Sequence, residues 1–243
     1  MQPVYNTPMS SSQTVSAIVA AYNEAKTVKP IIEVLLNHHR VSQVIAVDDG
    51  STDQTWKIIS NLKHPKLVRI HHKSNLGKGA AIVSAIKKST GNILLLVDAD
   101  LKQFHPAHVD LLLAPLQIDP QSMTIGLRKS FRPFEKTIYV IFKMFSGERA
   151  FTKKSILPLL PRIAHSGYGV ETIINLHFNR HRYPIYYVPL PKLIHSMKHE
   201  KHPLYKYTAD YFHEGKQILK QYLKPESTNI DSFLKYITKS LGI

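Results

Sequence analysis

Apolar residues come in short runs separated by polar, glycine-containing segments, and the first half of the chain repeats one alternation. TVSAIVAAY (Thr14–Tyr22) is nearly all apolar, as expected of a strand buried on both faces. Behind it, Val28, Ile31, Ile32, Val34, Leu35 and Leu36 fall at helical spacing. The pattern recurs as strand Ser42–Asp49 with helix Thr55–Leu62, then strand Lys66–His72 with helix Gly79–Lys88. It ends in the most apolar strand, Asn92–Asp100. Strands alternating with helices predict an α/β fold, a doubly wound, mainly parallel sheet with right-handed crossovers. The second half is less regular: a strand at Met123–Leu127, an aromatic-basic stretch at Phe131–Phe145 and a helix at Gly169–Phe178. A strand at Tyr183–Val188 follows, then basic helices from about Leu204, the last two divided by Pro225-Glu226-Ser227.

In doubly wound sheets, ligands bind beyond the carboxyl ends of the strands. Those ends read Asn23-Glu24, Asp48-Asp49-Gly50-Ser51-Thr52-Asp53, Ser74-Asn75-Leu76-Gly77-Lys78-Gly79 and Asp98-Ala99-Asp100. In extended chain, Asp98 and Asp100 project to the same side, roughly 6.5–7 Å apart. Two carboxylates so placed suit a hard divalent cation, Mg²⁺ or Mn²⁺, bridging to phosphate; the plainer alternative is a turn that ends the strand. Asp49-Gly50 makes a turn, and Ser51 with Gln54 has the spacing of a capping box that starts the next helix. Neither accounts for Asp48, which is directed at the strand mouth and suited to accept hydrogen bonds from a base or ribose. NLGKGAA lacks the spacing and the hydroxyl of a P-loop, which argues against that class of NTPase. Lys78 remains as a cation facing a nucleotide or, more plainly, a solvated lysine at a helix start.

Composition narrows the classes. The chain has 243 residues and no cysteine, so disulfides, thiolate metal sites and cysteine nucleophiles are excluded. Its first 23 residues carry no charge, but polar residues and prolines break any leader or spanning helix there. No later run reaches the roughly 18 apolar residues of a span, so the expected location is cytoplasmic, with peripheral contact at an inner membrane face. Net charge is +15. Residues 1–110 carry 12 basic and 8 acidic side chains and residues 111–243 carry 20 and 9, so the excess sits in the second half. Such a field attracts phosphates, anionic lipid or nucleic acid. The basic residues are dispersed and no nucleic-acid motif occurs, so no nucleic acid partner is expected.

In the order AAYNE, VDDGSTD, NLGKGAA, LLLVDADL, residues 14–101 resemble the nucleotide-sugar half of family-2-type glycosyltransferases with the GT-A fold. SGERAFTKKSILPLL (Ser146–Leu160), SGYGVE (Ser166–Glu171) and LIHSMKHEK (Leu193–Lys201) resemble the acceptor half of bacterial soluble enzymes. Those relatives are the glucosyl-3-phosphoglycerate synthases and, more loosely, the polyprenyl-phosphate sugar synthases. The resemblance implies a nucleotide-sugar half over 14–122, a mixed acceptor half over 123–203, C-terminal helices over 204–243 and a flexible segment over 1–13. It implies that Ala21, Tyr22, Glu24, Asp48 and Lys78 contact base and ribose, that Asp98 approaches ribose or metal, and that Asp100 holds Mg²⁺ or Mn²⁺ against the diphosphate. Glu171 would bind sugar hydroxyls, Arg149 would face a phosphate, and His195 would be a further metal ligand. AAYNE lacks the proline that many relatives carry before the aromatic residue.

His195, His199 and His202 at i, i+4 and i+7 would share a helix face, but Pro203 and the β-rich run before Ser196 argue against a helix; His195, the ligand the resemblance implies, is favoured, with His199 and His202 as surface residues. Glu148 and Glu171 are the carboxylates available as a general base if the acceptor is a hydroxyl. The implied reaction moves a hexose from a nucleoside diphosphate sugar, UDP- before GDP-, to a small acidic or lipid-phosphate acceptor, with a homodimer as a possible assembly. A nucleotidyltransferase is the nearest rival, although AAYNEAK is not its glycine-rich basic loop, and a basic nucleic-acid-binding module is the rival from another class. The Phe131–Phe145 stretch suits a helix packed on the sheet with its basic residues outward, or a membrane surface.

Overall fold

The computed structural model describes residues 13–128, 146–166 and 169–195. The aromatic-basic stretch, Gly167, His199, His202 and the C-terminal helices lie outside them. Among the described residues there are nine strands: β1 (Val15–Ala21), β2 (Val41–Asp48), β3 (Leu67–His71), β4 (Ile93–Asp98), β5 (Leu101–Lys102), β6 (Met123–Arg128), β7 (Arg149–Thr152), β8 (Ile185–Leu190) and β9 (Ile194–His195). Four helices precede β6: α1 (Val28–Asn37), α2 (Thr55–Asn61), α3 (Lys78–Lys88) and α4 (Pro106–Ile118), of which the first three are at the expected places. Two short helices, α5 (Lys153–Ile156) and α6 (Leu160–Ala164), lead to α7 (Val170–Arg180).

Seven strands form one sheet in the order β3-β2-β1-β4-β7-β6-β8. Its first four strands are parallel, and β7 runs antiparallel to both β4 and β6. β6 pairs in parallel with β8. The sheet is thus mainly parallel, as expected, and its two halves are joined through β7.

Period-two alternation along the strands explains why helices cover both faces. Val15, Ala17, Val19 and Ala21 of β1 and Ile93, Leu95 and Val97 of β4 pack with α1, α2 and α4. Ile18, Leu94 and Leu96 point the other way, into a second cluster with Ala81, Ile82 and Ile86 of α3 and Ile173, Ile174 and Phe178 of α7. Asp98 continues the alternation of Leu94 and Leu96, so its carboxylate is delivered to the face shared by α3 and α7. The order of strands reverses between β1 and β4, and the crevice at such a switch point is where a doubly wound sheet opens to a ligand.

Two local expectations are corrected. The fourth strand ends at Asp98, and Ala99-Asp100 is already a turn with Ala99 buried, so the extended spacing of the two aspartates does not hold. No capping box starts α2: its N-cap is Gln54, without a side-chain cap. Ser51 Oγ instead accepts from the Asn23 backbone N–H at 2.9 Å, and Asp53 Oδ1 accepts from the Thr55 N–H at 2.9 Å. Ser51 is thereby spent on tying the β1 and β2 exits together.

Candidate active site

The crevice is built from β1 and β4 near their exits, Gly147 and the first turns of α3 and α7. Lys78 opens α3 and Glu171 lies in the first turn of α7. The Lys78 ammonium donates to Asp98 Oδ1 at 2.8 Å and to Glu171 Oε1 at 2.7 Å, joining α3 to the strand that follows it and to α7, 93 residues further on. Burial works against that charge, but Asp98 and Glu171 more than reverse the effect and hold the ammonium well above the ordinary lysine range. A small cleft at this bridge is lined by Ile18, Ala20, Ile82, Leu96, Gly147 and the three ionic residues. Gly147 packs directly against this bridge, and a Cβ there would press on the Asp98 carboxylate.

Asp48, at the end of β2, is fully buried. Its Oδ2 lies 2.8 Å from His71 Nδ1 and 3.3 Å from the Ser51 backbone N–H, while Oδ1 is buried without a hydrogen-bond partner. Asp49, which the sequence reading left to a turn, organises the approach to Lys78. Its carboxylate accepts from the backbone N–H groups of Leu76 and Gly77 at 3.1 and 2.8 Å and pairs with His72 Nδ1 at 2.6 Å. Gly50 (φ 71°) and Gly77 (φ 92°) supply the left-handed turns these loops need.

Ala21 is buried at the end of β1, and Tyr22 beside it is 43% exposed. Glu24 is half-buried, and its carboxylate accepts from Thr27 Oγ1 at 3.0 Å. Asn23 (φ 57°) bends the chain between them and accepts from the Thr52 N–H at 2.8 Å. The three residues named for base and ribose on β1 and its loop therefore sit at the mouth beside Asp48.

Arg149 differs most from its expected setting. As the first residue of β7 it has no exposed surface and does not open to the cleft where a phosphate would lie. Nε donates to the Ser146 carbonyl at 2.7 Å, and a terminal nitrogen donates to Asn175 Oδ1 at 2.5 Å, one turn beyond Glu171 on α7. Burial holds the guanidinium below its ordinary range, only partly offset by Glu171, Tyr187, Asp98 and Glu148. Glu148 is likewise fully buried, accepting from Ser146 Oγ at 2.5 Å. Of the two carboxylates considered as a base, Glu171 alone lines the cleft.

Asp100 is half-buried in the turn after β4. The next residue, Leu101, pairs with His195 in the two-stranded β5·β9 ladder, so the backbone brings Asp100 and His195 together and His195 is on a strand, as expected. His108 of α4 supports that ladder: its Nε2 lies 2.9 Å from the Pro191 carbonyl in the turn that precedes β9. Burial lowers the His108 pKa, against the raising effect of that hydrogen bond. Among the described residues no group of three His, Asp or Glu side chains is clustered as a metal site, and no helix is long and apolar enough to cross a membrane.

Comparison with known proteins agrees with this architecture. A dolichyl-phosphate beta-glucosyltransferase of Trichomonas vaginalis is 35% identical over 145 residues, 54% of this chain and 43% of that protein. A UDP-N-acetylglucosamine–dolichyl-phosphate N-acetylglucosaminyltransferase of Methanococcus voltae is 28% identical over 188 residues, 62% of this chain and 74% of that one. The chain therefore spans less than half of the first relative and about three quarters of the second. Glucosyl-3-phosphoglycerate synthase of Mycobacterium tuberculosis, solved with Mn²⁺, UDP-glucose and phosphoglyceric acid, superposes with a TM-score of 0.68. That match has 21% identity and covers 88% of this chain and 81% of that one, which establishes the GT-A fold. The family description Glycosyl transferase family 2 matches residues 16–169, well over half of the sequence, and the chain belongs to that family.

Proposed function

We propose that the protein transfers a hexose from a UDP-sugar to a phosphate-bearing acceptor, with a polyprenyl phosphate favoured. The observation that carries this reading is the convergence of Lys78, Asp98 and Glu171 on one crevice at the switch point of the sheet, with Asp48 at the neighbouring exit of β2, paired to Ala21. The two dolichyl-phosphate relatives and the excess of basic residues in 111–243 support the acceptor class.

The residues divide the work. Asp48 accepts a hydrogen bond from the base, Tyr22 covers it, and Asp98 faces the ribose. Asp100 and His195, neighbours through the β5·β9 pairing, fit as a carboxylate and an imidazole ligand for Mn²⁺ or Mg²⁺. Such an ion supplies charge neutralisation at the leaving diphosphate. Lys78 adds a fixed cation on the same side and holds Glu171 toward the sugar. An acceptor phosphate oxygen attacks the anomeric carbon as the bond to the nucleoside diphosphate breaks, and no base is needed. If a hydroxyl attacks instead, Glu171 takes its proton. Arg149, buried beneath the cleft, positions the Ser146–Glu148 segment and α7 rather than touching phosphate.

Incubation with UDP-glucose, UDP-N-acetylglucosamine or GDP-mannose, Mn²⁺ and either dolichyl phosphate or 3-phosphoglycerate tests the reading. UDP release that depends on dolichyl phosphate and yields a glycosylated lipid is expected. Pyrophosphate release from a nucleoside triphosphate and a sugar phosphate would instead make it a nucleotidyltransferase.

A further inference from the structure

The two oxygens of the Asp48 carboxylate are unequally used. Oδ2 takes the two hydrogen-bond contacts, with His71 Nδ1 and with the Ser51 N–H. Oδ1 is equally buried and has no hydrogen-bond partner. An ionised carboxylate only accepts, so the missing partner is a donor. The asymmetry originates in His71. It ends β3 opposite Asp48 in the parallel β2·β3 register, and its ring stacks on Trp56 of α2 with centroids 4.5 Å apart and planes 20° apart. Trp56 packs against the apolar core beneath α1 and α2, so the imidazole is held from behind with Nδ1 toward Oδ2. With Asp48 ionised, Nδ1 carries the proton.

We propose that His71 is a positioning residue for donor-base specificity: by occupying Oδ2 of Asp48 it reserves Oδ1 for a ring N–H of the base. The inference rests on the reading above that Asp48 faces the base. Its chemistry is selective. Uracil at N3 and guanine at N1 present a hydrogen to such an oxygen. Cytosine N3 and adenine N1 present a lone pair, which meets the carboxylate lone pair with nothing between. A site built around a buried polar partner rejects the ligand that cannot satisfy it far more strongly than a site that merely lacks a contact. His71 acts through Asp48 and touches no substrate in this arrangement.

Calorimetric titration of the full chain with UDP and CDP in MnCl₂ tests this without an acceptor. Wild type should bind UDP at least about 100-fold more tightly than CDP. His71→Ala and His71→Leu leave the Asp48 carboxylate held by the Ser51 N–H alone and should lower that ratio about tenfold. His71→Asn places an amide N–H near the position of Nδ1 and should restore it. Melting temperatures separate a specificity effect from unfolding, since a purely structural role would move stability and leave the ratio unchanged. An unchanged ratio in His71→Ala overturns the inference, as does His71→Asn behaving like His71→Leu. Failure of wild type to bind UDP, CDP, GDP or ADP at all would instead remove the donor reading, and the role of His71 would fall with it.

Discussion

Replacing Lys78 with methionine probes the crevice at its centre. Methionine keeps most of the aliphatic stem and removes the ammonium that bridges Asp98 and Glu171 at 2.8 and 2.7 Å. A hydrogen bond to a charged group contributes about 1.5–3 kcal/mol, and breaking a buried ion pair from one side costs about 3–5 kcal/mol. The Lys78 side chain is 24% exposed and those of Asp98 and Glu171 are 21% and 9%, so water recovers part of that cost. A loss of about 2–4 kcal/mol follows. With a urea slope of about 2–3 kcal/mol/M, the midpoint should fall by roughly 1 M. The sign of a second substitution is the sharper test. Glu171→Gln should destabilise wild type, because it removes a partner of Lys78. In the Lys78→Met background it should stabilise, because it relieves two carboxylates left facing one another. Equal destabilisation by Glu171→Gln in both backgrounds, read from urea curves monitored by tryptophan fluorescence, would refute the bridge.

Other sites give independent outcomes. Gly147→Ala places a methyl group against the Asp98 carboxylate and should cost about 1–3 kcal/mol, as overpacking does. It should also weaken UDP binding, which calorimetry would read. His108 is buried with its pKa lowered by that burial, so its unfolded form binds the extra proton. Its contribution to stability is full above the unfolded pKa of about 6.5 and is lost as pH falls below it. Urea midpoints at pH 7.5 and 5.5 should therefore differ less in His108→Gln than in wild type. His195→Ala should raise the Mn²⁺ concentration needed for half-maximal UDP binding more than His199→Ala does; the reverse order would transfer the ligand role to His199.

Much of this was legible in the chain because the signals were local. The continuous apolar strands and their polar exits located the parallel strands and the positions of Asp48, Lys78 and Asp98 at or after their carboxyl ends. What periodicity missed depended on pairing across the sequence. β7 is four residues long and begins with a charged residue, so its central place between β4 and β6 comes from its partners. β5 and β9 are two residues each and exist only because they pair. α4 carries Pro115 inside and a weakly one-sided apolar pattern, which hid it from a reading based on amphipathicity. At the site, the buried setting of Arg149 was hidden because it depends on Ser146 and on Asn175, 26 residues away. Asp49 looked like turn chemistry because its partners, Leu76, Gly77 and His72, lie more than 20 residues away. The turn at Ala99-Asp100 replaced an extended pair because the chain must leave the sheet to reach β5.

The central claim is that this crevice is a nucleoside diphosphate sugar site, and a crystal structure of the chain with UDP and Mn²⁺ tests it most directly. The account predicts the uracil edge against Asp48 Oδ1, the ribose at Asp98 and the metal-bound diphosphate between Asp100 and His195. A nucleotide bound away from the β1–β4 crevice, or a metal held by residues other than Asp100 and His195, would contradict it.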